Sequence, residues 1–171
     1  MRQTKTLIPA LIALAACQPT AGPSGEPSPP DAAPPGWTRH TLSTGFGEAP
    51  GYSVALPAGL EQRSVQGIDS EVARFEGDSL KISFDYGRYG NLGTCLSGWS
   101  CRDGTTVVDG RSAWTRTVDK GASQDESGLA HRYAAYVRVT DDVGLAVQAD
   151  CADASACERA AAIVRSVDFA G

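Results

Sequence analysis

A chain of 171 residues carries 15 Lys and Arg against 20 Asp and Glu, a net charge of −5, with two histidines and five cysteines. That acidic balance argues against nucleic acid and anionic lipid headgroups as partners, because their phosphates repel a negative surface. No apolar run approaches the roughly 20 residues that a membrane-spanning helix needs.

In chain order, the first feature is the apolar run Leu7–Ala16, which follows the positive charges of Arg2 and Lys5. A charged start, a short apolar stretch and small residues before a cut describe an export signal over residues 1–16. Leu14-Ala15-Ala16-Cys17 matches the Leu-[Ala/Ser]-[Gly/Ala]-Cys lipobox of bacterial lipoproteins at every position, and this stretch resembles that family. The resemblance implies that Cys17 is acylated on sulfur, becomes the mature N-terminus and is acylated again there, which makes the lipid bilayer a partner. One chain anchors marginally, at about 0.8 kcal/mol per buried methylene, so two or three hold firmly. Gln18 in place of Asp leans toward the outer membrane facing the periplasm, with the inner membrane or cell surface as alternatives. The plainer alternative is a secreted protein with a chance cysteine. Removing Arg2 and Lys5 leaves 13 basic against 20 acidic residues, or −7.

Residues 17–36 read as the lipidated cysteine followed by a tether. Gln18–Gly36 holds seven of the ten prolines and little that could pack. Proline fixes φ and supplies no N–H, so the stretch is expected to be disordered and extended, reaching roughly 60 Å at about 3.1 Å per residue. Residues 37–171 then have a normal length for one domain.

This domain is dominated by a period of two. Gly51–Pro57 places Tyr52, Val54 and Leu56 on one face, and Leu80–Gly87 places Leu80, Ile82, Phe84 and Tyr86 inward with Lys81, Ser83 and Asp85 outward. Such alternation marks half-buried antiparallel strands. Ser70–Glu76, Arg111–Val118, Ala130–Thr140 and Gly144–Asp150 follow the same rule. Asp109-Gly110 is a strong hairpin signal. One helix is expected over Ala156–Val167, opened by a capping box of Ser155 and Glu158; Ser166–Phe169 can close as a short strand. The fold class is therefore α+β: an antiparallel sheet of about six to eight strands packed by a C-terminal helix.

Four cysteines remain, in two pairs of equal spacing. In an oxidising compartment they allow three connectivities. The local one, Cys95 with Cys101 and Cys151 with Cys157, is favoured because short loops close at little entropic cost. A four-thiolate zinc site is the rival, although zinc pairs usually have two to four residues between cysteines rather than five.

"YSVALPAGL" (Tyr52–Leu60), the alternating "LKISFDYG" and a helix running into "SVDF" resemble the PsbP/Mog1-like domains. That resemblance implies an antiparallel sheet packed against helices, often on both faces, and a binding or assembly role without a shared catalytic constellation. The family often has Trp where this chain has Leu60.

No nucleophile elbow, zinc-protease helix or phosphate loop occurs, and no cofactor or metal site is expected. His131 reads as a structural histidine in a strand, His40 falls on a first strand, and the Asp125-Glu126 and Asp141-Asp142 pairs read as solvated turns. A Ser/His/Asp site assembled from distant residues stays open. The stretch Asp85–Gly104 reads as a long glycine-broken loop offering Arg88, Tyr89, Trp99 and Arg102, residue types enriched in binding hot spots. Trp99 either lies back as a lid over one end of the core or faces outward as an anchor. Three functions compete: a non-catalytic envelope lipoprotein that binds a protein or small ligand, an inhibitor or immunity lipoprotein against a lytic enzyme, and a hydrolase.

Overall fold

A computed structural model describes residues 33–121 and 127–170. The expectations for the signal segment, for Cys17, for the tether up to residue 32, and for Asp125 and Glu126 lie outside the described residues. The strands are β1 (Trp37–Phe46), β2 (Ala49–Pro57), β3 (Glu61–Arg63), β4 (Ser70–Glu76), β5 (Leu80–Gly87), β6 (Ser100–Val108), β7 (Arg111–Asp119), β8 (His131–Arg138), β9 (Gly144–Cys151) and β10 (Asp168–Phe169); the helix α1 spans Ala154–Arg165. The class is α+β. The strands form two antiparallel sheets, one of seven in the order β3-β4-β5-β9-β8-β7-β6 and one of three in the order β1-β2-β10. The single sheet expected from the alternation is thus divided, because β1, β2 and β10 pair only among themselves.

The large sheet sorts its side chains as the alternation demands. Leu80, Ile82, Phe84 and Tyr86 on β5 lie opposite Cys151, Ala149, Val147 and Leu145 on β9, and all eight are buried. Against this inner face lie two covers. One is α1, which buries Ala156, Ala160, Ile163 and Val164, each of the two large ones contributing about 1.5–3 kcal/mol by burial. The other is the small sheet, whose Tyr52 and Phe169 rings meet the Tyr86 ring at 5.1 and 6.4 Å between centroids.

The helix begins two residues earlier than the expected capping box places it. Asp153 is the N-cap, its backbone extended and its Oδ1 accepting from the Ala156 N–H at 2.8 Å. A carboxylate already in place three residues ahead of a free amide satisfies the same orphan donor that Ser155 would have served. At β6–β7 the expected hairpin forms, with Asp109 and Gly110 at φ of 46° and 70° and Val108 paired with Arg111. That is the double positive φ of a two-residue turn matched to strand twist.

The presumed loop Asp85–Gly104 is shorter than expected. Its first residues belong to β5, its last to β6, and only residues 88–99 connect them. They cross the outer face of the large sheet, opposite the core. There the Gly90 Cα sits so close to Ala146 and Tyr136 that an added Cβ would approach them at 3.0 and 3.3 Å, and the Gly93 carbonyl accepts from Arg116 Nη1 at 2.9 Å.

Candidate functional site

The four residues expected to form a site are dispersed. Arg88 and Tyr89 follow β5 at the end of the sheet where Gly87 pairs Gly144, and Tyr89 is 76% exposed. Trp99 precedes β6 at the other end, where Ser100 pairs Asp119. Trp99 is half-buried and lies back on the outer face. Arg102 shares its face with Thr117 and Tyr133, so it points to the inner side. The structure therefore brings Trp99 and Arg102 near in sequence but onto opposite faces, and leaves Arg88 and Tyr89 a strand length away.

Trp99 covers an ion cluster and not the hydrophobic core. Lys120 Nζ and the Arg132 guanidinium lie 5.7 and 5.5 Å from its ring centroid. Both cations reach the same acceptor, Asp150 Oδ1, at 2.8 Å each. Lys120 is 0% exposed and also donates to Ser127 Oγ at 3.1 Å, while Lys81 Nζ donates to the Ser127 carbonyl at 2.9 Å. A buried ammonium persists only when paired and hydrogen-bonded, and this one is both. The sequence signal was present in the register: Lys81, Asp150 and Arg132 fall in one row across β5, β9 and β8.

On the inner side, α1 packs on β8 and β9 and also reaches the edge strand β6. The space left between the helix and β6, β7 and β8 is a cleft of about 540 Å³, within the range of small-molecule sites, roughly 300–1,000 Å³. Arg102, Asp119 and His131 stand on its sheet wall and Glu158 on its helix wall, over a floor that includes Tyr133, Ala161 and the Cys157 bridge. Burial pushes the Tyr133 phenol up, and the Arg165 charge partly opposes this. Tyr133 is thus a neutral hydroxyl in the floor at ordinary pH. Sequence reasoning placed Arg102 and His131 separately and missed Asp119 and Glu158 as their neighbours. The signal lies in strand register, which no local pattern contains.

One row of the cleft wall invites a catalytic reading. Ser100 pairs Asp119, and Asp119 pairs His131, so a serine, an aspartate and a histidine stand side by side. Nucleophilic relays set the imidazole between hydroxyl and carboxylate, so that it takes the proton from one and is oriented by the other. Here the carboxylate is in the middle. Asp119 Oδ1 accepts from the Gly121 N–H at 2.9 Å, and among the described residues no hydrogen bond joins His131 to Ser100 or Asp119. As arranged, the row is a polar wall.

The expected bridges, Cys95–Cys101 and Cys151–Cys157, both form. Among the described residues no His, Cys, Asp or Glu group gathers to hold a metal ion, and no helix is long and apolar enough to cross a membrane. Neither a protein-family profile nor a curated protein matches the chain, so the site rests on its own geometry.

Proposed function

We propose that this protein is a membrane-anchored cell-envelope lipoprotein, held through acylated Cys17 and a proline-rich tether, whose PsbP/Mog1-like domain is a non-catalytic binding module. The observation that carries the binding role is the cleft beside α1, where Arg102, His131, Asp119 and Glu158 surround an apolar floor. A few convergent polar groups over apolar lining are what a small-ligand or peptide-tip site requires. The lipobox Leu14–Cys17 supports the anchor, and Gln18 supports the outer membrane.

The test has two parts. Intact mass of the mature chain should begin at Cys17 with added acyl chains, and Cys17→Ser should abolish them; an unmodified soluble chain ends the lipoprotein reading. Capture from envelope extract should weaken at least tenfold in an Arg102→Ala/His131→Ala chain with unchanged thermal stability. Full capture by that variant removes the cleft from the binding role. A second reading, an inhibitor of a lytic enzyme, draws on the mature charge of −7, which suits a basic target. It requires that one enzyme be retained and its activity blocked at stoichiometric ratio.

A further inference from the structure

A second concavity lies at the far side of the molecule from the cleft. It is a groove of about 470 Å³ between Thr41–Thr44 of β1, Val65–Gly67 ahead of β4 and Ser70–Val72 at the start of β4. Two local features shape it. A bulge between Thr41 and Ser43 interrupts the pairing of β1 with β2, which turns this stretch of the strand toward β4. On the other wall, Gly67 folds so close to β4 that a Cβ there would stand 2.2 Å from the Ser70 carbonyl oxygen.

Glu71 lines the groove. Its Oε2 is shut off from solvent and has no hydrogen-bond partner in the protein. A buried acceptor left without a donor is costly, and more so when charged. Its charge is felt nearby: the Tyr52 and Tyr86 phenols are pushed up first by burial and then by Glu71. No Lys, Arg or His lines the groove, whose other polar residues are Thr41, Ser43, Thr44, Ser70 and Gln66, and the Ser43 hydroxyl already accepts from the Gly45 N–H at 3.0 Å. One carboxylate among neutral hydroxyls is a poor set for calcium, which takes six to eight oxygens and usually several carboxylates. It is a good set for an ammonium, which offers three donors. Leu42, Val65 and Val72 supply apolar wall for a methylene stem of the kind that carries a charged head.

We propose that this groove binds an aliphatic ammonium group, with Glu71 as its counter-charge and the β1 and Ser70 hydroxyls as acceptors. The group is a free alkylamine or a lysine side chain, which share this chemistry, and Val65 on the groove wall is itself exposed.

The test is an amide-resolved NMR titration of the full chain at low salt. Butylammonium is the free-amine probe, a blocked peptide with one lysine is the side-chain probe, and butanol is the neutral control. Saturable shifts confined to Thr41–Thr44 and Gly67–Val72 with either cationic probe, but not with butanol, support the site; which probe saturates names the source. Glu71→Gln should weaken the response at least tenfold. No response to either cation, an equal response to butanol, or unchanged binding in a folded Glu71→Gln chain overturns the proposal. The butanol comparison decides on the unmodified protein even if the variant does not fold.

Discussion

Cys95–Cys101 and Cys151–Cys157 each join residues six apart, and by loop entropy alone each is worth about 2–3 kcal/mol. Their surroundings differ in every other respect. Cys151 is buried at the end of β9, and its bridge reaches the first turn of α1, whose apolar face closes the core. Cys95 is exposed, and its bridge shapes a loop laid over the polar face. That loop is held from outside the bridge by the Arg116 contact to Gly93 and by Trp99 resting on two cations. Equal spacing therefore gives equal entropy and unequal consequence: what a bridge contributes depends on what loosens when it is cut.

The widest gap should appear on removing each bridge. Replacing Cys151 and Cys157 by Ala is expected to cost about 4 kcal/mol in urea unfolding, since a cavity at a closed site adds to the entropy term. The same change at Cys95 and Cys101 should cost about 2 kcal/mol or less. Equal costs would break the comparison. Next comes Asp150→Ala, which strips the acceptor shared by Lys120 and Arg132 and should cost about 3 kcal/mol. Asp150 precedes Cys151, so the residue that anchors the outer cluster adjoins the one that anchors the helix. A loss under about 1 kcal/mol, typical of an exposed pair, would mean that the outer cluster is no more than surface charge.

Trp99→Ala should cost about 2 kcal/mol, the sum of two modest cation–π contacts and some packing. A loss above about 3 kcal/mol would return Trp99 to the role of a core lid. The smallest effect belongs to Asp103, whose carboxylate accepts from Arg116 Nε and Nη2 at 2.6 and 2.8 Å. Those hydrogen bonds hold Asp103 below the usual carboxylate range. A lowered folded value means that the contribution is present above the ordinary pKa near 3.9 and fades as pH falls through the folded value. Thermal scans should show Asp103→Asn slightly less stable at pH 7, with the gap closing as pH falls below the ordinary carboxylate range. A gap that persists in acid would assign the difference to something other than this pair.

How much of this was legible beforehand follows from where the determining interaction lies. Strand β5 was readable to the residue, because its alternation is set by burial of one face. The Asp109-Gly110 hairpin was readable because two positive φ values demand such residues. The start of α1 was misplaced because Ser155 and Glu158 have capping-box spacing while Asp153 serves the same amide. Strand β6 was missed because an edge strand of Ser, Arg, Asp, Gly and Thr pairs on one side only and carries no apolar alternation. Its absence merged Arg102 into a loop with Trp99 and hid the fact that they face opposite sides. The cleft and the Lys120 cluster arise from cross-strand register between residues as much as 69 apart, as Lys81 and Asp150 are, which a single strand's pattern does not encode.

Strand β2 is flanked by β1 on one edge and by β10 on the other, and Ser166 Oγ contacts the Ala55 backbone across 111 residues. A chain that leaves the ribosome N-terminus first therefore has β2 open along one edge until residues beyond 165 arrive. The Phe169 ring, wedged against Tyr52 and Tyr86, is delivered later still. Closure of the small sheet is thus a final stitch, made by contacts of long sequence separation that form slowly. Until that stitch is made, β2 keeps an open edge and the small sheet stays unlocked.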